Sequence, residues 1–456
     1  MSLAENLSKL VNSNQVSTDT DVLAEHSIDK WFASETPDAV VFPESTEDVS
    51  NILRYAYENQ IPVTTRGAGY GYVGGAVPSN RGIVLSTARM NRILEINPSD
   101  GVAVVEPGVI TGDLQDAAKE VGWSYPPDPA SLKDSSIGGN IATNAGGPRC
   151  LKYGVTRHYV LGLEVVLADG RVLNAGGRCH KNKTGFDLVG VFVGSEGMLG
   201  IVTKATLRLI PRAPARVLLS VSFGDFREAA KAVETVLGNG FLPAALEISD
   251  QFTLQAARDH TGTGLVPDGD AHLIVELDGH EKSVRGEAED LEKLLREKHG
   301  IRSFTSANTE EGCEAIWDIR RAFSFSLRAT GLTKLNEDVV VPRGKLCDLV
   351  EFCAGLQAEC GFPIACFGHA GDGNIHVNIM VENIGDAVVL EKSEEALDQL
   401  FQKVLELGGA ITGEHGVGLA KKRWFPGAVG ETGMDVHRQL KQALDPNDIL
   451  NPGKFI

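Results

Sequence analysis

Three glycine-rich runs in the first half of the chain restrict its fold more than any other feature: Gly69-Tyr70-Gly71-Tyr72-Val73-Gly74, Ser136 through Gly147, and Gly194-Ser195-Glu196-Gly197. Glycine weakens the interiors of helices and strands, so 51 glycines among 456 residues, with no fixed repeat, point to tight turns and close backbone approach. Short apolar segments separate the runs and read as strands: Ile61 to Thr65, Gly82 to Ser86, Val102 to Glu106, and Leu163 to Ala168, which turns at Asp169-Gly170 into Arg171 to Leu173. Residues 46 to 59 read as a helix, with Ser45 as its cap and Val49, Ile52, Leu53 and Ala56 on one face. The first run matches G-x-G-x-x-G, and Glu95 even follows about twenty residues on. A dinucleotide site of that kind needs a helix to start at the glycines, yet Pro78 and Gly82 interrupt the segment and the next element is a strand. The runs are therefore expected to be loops whose N–H groups wrap a diphosphate, converging on one large phosphate-bearing cofactor. Pro126-Pro127-Asp128-Pro129 adds a rigid, donor-poor segment for the cofactor's flat ring.

The formal charge is -18, so nucleic acid would meet repulsion over most of the surface. Small anions need a local arginine, a metal ion or a ring of backbone N–H groups. Met1 to Val11 has no apolar signal region, and no apolar stretch reaches the roughly 18 residues of a membrane span, so a cytoplasmic protein is expected. The 7 cysteines show no C-x-x-C, which argues against a disulfide framework or a Cys-ligated cluster.

Pro211 and Pro214 punctuate the end of a strand from Ile201 to Ile210, and a new pattern follows. Strands at 215 to 223, 244 to 248 and 272 to 278 alternate with helices at 226 to 237, 283 to 299 and 309 to 328, and a strand–helix–strand–strand–helix run spans 338 to 407. The order suggests a duplicated split βαβ arrangement over one large antiparallel sheet. Residues 408 to 456 are again glycine-rich and are expected to return to the first half.

The most specific local signal is Gly368-His369-Ala370-Gly371-Asp372-Gly373-Asn374-Ile375-His376-Val377-Asn378. Ile364 to Phe367 lead as a strand up to His369, turn formers follow, and Ile375 to Val381 return as a second strand. Such a hairpin brings His369 beside His376, which suits two imidazole ligands of a divalent metal. Glu414-His415, bracketed by Gly413, Gly416 and Gly418, offers a carboxylate as third ligand and leaves one histidine over. Asp372 reads as a turn residue. Trp317 to Leu327 reads as a helix bearing Arg320 and Arg321, with Lys334 and Asp338 following in a loop and strand that could approach the same site.

From Val41-Phe42-Pro43 through the first glycine loop, Ser136 to Gly147, Lys152-Tyr153-Gly154 and Gly194 to Gly197, the chain resembles the FAD-binding half of the vanillyl-alcohol oxidase superfamily. With His369 to Asn378, Glu414-His415 and Asn451-Pro452-Gly453-Lys454 it is similar to the FAD-linked branch of D-2-hydroxyacid dehydrogenases and the glycolate oxidase flavin subunit. The resemblance implies an α+β fold in which a two-subdomain FAD-binding domain occupies 1–211. A substrate or cap domain with a large helix-covered antiparallel sheet occupies 212–407, and 408–456 returns to the FAD-binding domain. It implies flavin contacts from Arg66, Gly67, Ala68, Gly69, Tyr70 and Gly71, and from Pro127 and Asp128. Further contacts are implied at Ser136, Gly139, Asn140, Thr143, Asn144, Gly146 and Gly147, then at Tyr153, Gly154, Glu196, Gly197, Ile201 and Asn451. Relatives with covalent FAD often carry a histidine where this chain has Tyr70, so the flavin is expected to be non-covalent.

The same resemblance implies that His369, His376 and Glu414 hold a divalent metal, zinc first, with manganese and iron as alternatives. His415 is the implied general base, Asn378 a polar substrate contact and Arg320 the carboxylate clamp. Lys334 matches a second carboxylate contact when the loop before Pro342 is allowed two extra residues. The implied reaction oxidises a D-2-hydroxy acid of the lactate, glycolate or 2-hydroxyglutarate type, the α-hydrogen passing as hydride to flavin N5. With no iron–sulfur pattern in the chain, electrons are expected to leave to a separate acceptor: an electron-transferring flavoprotein, an iron–sulfur subunit, a cytochrome or a quinone. Such a partner would tether the protein at a membrane, and homodimerisation is left open. The alternative within the superfamily is a flavin-dependent ether-lipid synthase-like transferase, whose relatives resemble a run of histidines where this chain has Glu414-His415.

Overall fold

The structure, a computed structural model, describes residues 2–262, 264 and 266–456. They form two compact units: the described residues of 2–147, 154–212 and 414–456, and those of 148–153 and 213–413.

The first unit holds two main sheets and a two-residue antiparallel pair, Trp123–Ser124 with Ile210–Pro211. In the smaller one Ala39–Val41, Ile83–Ser86 and Val63–Arg66 run parallel, and Val16–Ser17 pairs antiparallel at the edge. The expected helix Thr46–Asn59 forms, capped by Ser45 Oγ on the Asp48 N–H at 3.1 Å, and buries Val49, Ile52, Leu53 and Ala56 in the core beside this sheet. The larger sheet is antiparallel: Ile93–Asn97, Val102–Val105, Ile201–Arg208, Val160–Val166, Val172–Gly176 in that order.

Two elements of this unit differ from the sequence expectation. The second glycine-rich run is not a loop: Ile137–Thr143 is a short helix whose first turn is capped by Ser136 Oγ. Glycine is tolerated there because the backbone lies against Pro107, and a Cβ on Gly138 would sit 2.6 Å from the Pro107 Cβ. Phe425–Leu444, read only as part of a glycine-rich tail, is a 20-residue helix kinked at Gly430, where φ is +72°. Its glycines masked the helical pattern, and burial of Phe425, Met434 and Lys441 overrides their low propensity.

The second unit is built on seven strands: β1 Ala215–Phe223, β2 Ala245–Ser249, β3 Ala271–Gly279, β4 Ile301–Ala307, β5 Thr333–Val340, β6 Ile364–His369 and β7 Asn374–Val381. All neighbours are antiparallel, in the order β4-β1-β3-β2-β6-β7-β5. This is the expected helix-covered antiparallel sheet, with two elements the pattern did not reveal, β4 and the helix Gln251–Thr261. That helix and Glu310–Ala329 pack together over one sheet face, burying Leu254, Ile319, Phe323 and Leu327 against Ala365, Phe367 and Met380. Residues 148–153 join this unit through Arg149, paired with Glu276 at 2.8 Å, and Lys152, bonded to the Asp278 carbonyl at 2.9 Å.

Candidate active site

In the first unit the glycine runs do meet. The Ala68 N–H donates to Ser136 Oγ at 3.2 Å, and the Gly194 and Glu196 N–H groups donate to the carbonyls of Ile141 and Ala142 at 2.9 Å each. Asn451 joins them, donating from Nδ2 to the carbonyls of Gly75 (3.1 Å) and Glu196 (2.7 Å), while its own N–H donates to Val63 at 2.8 Å. Asp128 lies against Gly147, so the proline-rich segment borders the second run. Residues 67–75 belong to no helix or strand, so no ladder consumes their amides. Thr65 Oγ1, beside Gly197, is buried without a hydrogen-bond partner. Convergent loop amides with an unmatched hydroxyl at their edge fit a large phosphate-bearing ligand such as FAD. Of the other residues expected to contact flavin, Arg66 donates to the Ile28 carbonyl and Ile201, itself buried, opens the strand Ile201–Arg208. Gly154 stays in this unit, whereas the Tyr153 hydroxyl belongs to the second and donates to Asp278.

Glu196 has a further task. Its buried carboxylate accepts from the N–H groups of Val417 (2.7 Å) and Gly418 (2.8 Å), which ties down the glycine-rich segment that carries His415. Burial pushes this carboxyl up to about 7, against the opposing pull of those two N–H donors. The His415 ring stacks on Tyr72 of the first glycine run, with centroids 5.2 Å apart and planes 27° apart. Tyr72 was not picked out in the sequence, and no local signal links positions so distant in the chain.

In the second unit the hairpin β6–β7 places His369 and His376 with ring centroids 5.3 Å apart, both buried. Position 414 is set by its neighbour. Asp338 on β5, wholly buried, accepts from the Gly413 N–H at 2.8 Å, Thr412 Oγ1 at 2.9 Å and Asn374 Nδ2 at 2.7 Å. Gly413 approaches so closely that a Cβ would lie 2.5 Å from Asn374 Nδ2. Glu414, bonded to this pinned residue, brings its ligand atoms within 4.8 Å of those of His369 and His376. Two imidazoles and a carboxylate in this arrangement fit zinc, manganese or iron and leave room for a substrate oxygen.

A buried glutamate that the sequence reading passed over stands behind the pair. Glu247, on β2 opposite His369, puts Oε1 2.6 Å from His369 Nδ1 and Oε2 2.6 Å from Arg320 Nε. Burial would raise this carboxyl, but the charges of His369 and Arg320 outweigh it and hold it at about 2. Its one sequence signal was an acid inside an otherwise uncharged strand, Ala245-Leu246-Glu247-Ile248-Ser249.

Arg320 lies on the helix Glu310–Ala329 with its guanidinium over the Phe367 ring at 4.7 Å. Only one of its five N–H donors is committed to Glu247. Ser324, one turn on, accepts from Lys334 Nζ at 2.9 Å. Burial, with Arg328 and Arg320 nearby, pushes the Lys334 ammonium down to about 8. Asn378 donates from Nδ2 to the carbonyls of Ala365 and His376, and its buried Oδ1 is unmatched, as is that of its cross-strand partner Asn336. Asn378 can therefore meet a substrate only as an acceptor. Arg321 instead serves the surface, paired with Asp318 and Glu314.

Comparison with known proteins follows this geometry. Residues 212–455 match the family FAD linked oxidases, C-terminal domain, and residues 37–176 match the FAD binding domain family. The chain is 41% identical over 419 residues to the glycolate oxidase subunit GlcD of Bacillus subtilis (strain 168), covering 92% of this chain and 89% of that protein. It is 33% identical to a D-lactate dehydrogenase of Anaerostipes hadrus, covering 93% of this chain and 90% of that one. The solved structure of a 4-ethylphenol oxidase from Gulosibacter chungangensis, in complex with isoeugenol, superposes with a TM-score of 0.80 at 23% identity, over 99% of this chain and 96% of that one. Among the described residues, no helix is long and apolar enough to cross a membrane.

Proposed function

The chain belongs to the FAD-linked oxidases, and from that premise we propose that it oxidises a small D-2-hydroxy acid of the lactate, glycolate or 2-hydroxyglutarate type to the 2-oxo acid. The observation that carries this reading is the group His369, His376 and Glu414, its two histidines buried, with Arg320 tied to it through Glu247. An acidic protein that must hold a small carboxylate needs local positive charge, and Arg320 and Lys334 offer it here.

When bound, FAD supplies the hydride acceptor and a divalent ion supplies positive charge at the substrate's hydroxyl oxygen. The protein's residues do the rest. His369, His376 and Glu414 would hold the ion. Arg320 offers its remaining N–H donors to the carboxylate, where planar two-point contact fixes the acid's orientation. Lys334 gives a second cationic contact, and Asn378 is the polar residue beside it. Neutral His415 takes the hydroxyl proton on a ring nitrogen as the α-hydrogen leaves with its electron pair, a step worth roughly a hundred- to ten-thousand-fold. The Tyr72 ring and the Glu196-bound amides keep that imidazole in one orientation. Electrons then pass to a separate acceptor.

The test is an anaerobic panel of D- and L-2-hydroxy acids scored by bleaching of the flavin absorbance. Rapid bleaching by at least one D acid is the expected result. A flavin that no 2-hydroxy acid reduces would reject the reading.

A further inference from the structure

We infer that Glu247 is a positioning residue that fixes the metal-ligating histidine and the carboxylate-binding arginine at once, so that one buried side chain sets the geometry of both halves of the substrate site. The inference rests on the function proposed above and goes beyond it in assigning a residue that neither touches substrate nor ligates the ion.

Arg320 is always protonated, and this permanent cation, its Nε–H 2.6 Å from Glu247 Oε2 in a buried site, holds Glu247 anionic, so that the carboxylate can only accept. The second short contact, 2.6 Å between Oε1 and His369 Nδ1, then requires the proton to be on Nδ1. His369 is thereby held in the tautomer that leaves the Nε2 lone pair for a metal ion. The same carboxylate removes the torsional freedom of a long arginine whose side chain is only 14% exposed. Phe367 closes the arrangement: the Arg320 guanidinium lies 4.7 Å above its ring, and that ring is also 5.5 Å from His376. Glu247 itself is only 2% exposed, with strands on both sides, so it cannot swing to another partner.

Glu247→Gln keeps the shape but can offer only one acceptor oxygen. It either donates toward Nδ1, forcing the other tautomer, or turns an N–H toward Arg320. Protein with its FAD in place, stripped of metal, is titrated with Zn2+ alone in competition with a chromophoric chelator. Propionate, a carboxylate with no 2-hydroxyl, is titrated separately into the metal-free protein and followed by the flavin spectrum. Glu247→Gln is expected to bind Zn2+ roughly 10- to 100-fold more weakly than wild type. It is expected to bind propionate roughly ten-fold more weakly. In an Arg320→Met background the propionate effect should vanish while the Zn2+ effect persists, a split that general loosening of the fold would not produce. Zn2+ affinity within about two-fold of wild type, or a propionate effect that survives without Arg320, overturns the inference. If Glu247→Gln does not fold, Glu247→Asp tests the same point, since a side chain one methylene shorter cannot reach both partners and must weaken at least one titration. Wild-type protein that binds no Zn2+ would instead remove the metal from the proposed function and this inference with it.

Discussion

Replacing Asp338 with Asn tests how the third metal ligand is placed. In the native protein one carboxylate oxygen accepts from Asn374 Nδ2 and the other from Thr412 Oγ1 and the Gly413 N–H. Asparagine turns one acceptor into a donor. If its oxygen faces Thr412 and Gly413, its NH2 opposes the Asn374 NH2; if it is flipped, the Gly413 N–H loses its acceptor and Thr412 Oγ1 must turn from donor to acceptor. At least one hydrogen bond to a charged acceptor disappears either way, about 1.5 to 3 kcal/mol, at a wholly buried position 338. For a unit of this size that corresponds to a fall in Tm of about 3 to 12 °C. Gly413 is then free to shift, and Glu414 with it, so metal affinity should drop by roughly ten-fold or more. The assays are calorimetry and metal titration on the FAD-loaded protein. Thr412→Val serves as a control that removes a single one of the three bonds. An Asp338→Asn protein that melts within about 1 °C of wild type and binds metal equally would show that Asp338 does not anchor the segment.

Acid precipitation should release the flavin into the supernatant, since Tyr70 offers no imidazole for attachment; flavin left in the pellet would contradict this. His415→Asn should retain FAD and metal but slow the limiting rate of flavin reduction by at least about a hundredfold in rapid mixing. A loss confined to substrate affinity would make His415 a binding residue. Lys334, pushed down to about 8 by burial and by Arg328 and Arg320, is charged below that pH and neutral above it. An anionic substrate binds the charged form, so KM should rise as pH increases through about 8, and Lys334→Met should raise KM at neutral pH and flatten that rise. An unchanged pH profile of KM in the variant would place the carboxylate elsewhere.

Features carried by local periodicity and turn chemistry were readable from the chain alone: Ser45 opening its helix, the β6–β7 hairpin that pairs His369 with His376, and the sheet of the second unit. The glycine-rich texture was readable too, but not what it folds into. Ile137–Thr143 and the segments on either side of Gly430 became helices because burial outweighs the modest cost of glycine, and burial is a tertiary quantity.

Composition and spacing by themselves determined the chemical cast: an acidic protein with converging glycine loops, two histidines on one hairpin and a carboxylate beside a spare imidazole. Only the tertiary structure decided which side chains hold them in place. Glu247 reads as one acid in a strand until that strand pairs with the one ending at His369. Asp338 gains its role from Gly413, Glu196 from Val417 and Tyr72 from His415, each pair brought together by folding across a long stretch of chain. The physical reason is that ligand and turn preferences act over a few residues, whereas the supports of a site are set by desolvation. A buried carboxylate survives only where the fold surrounds it with donors, and no local pattern records which distant segments will supply them.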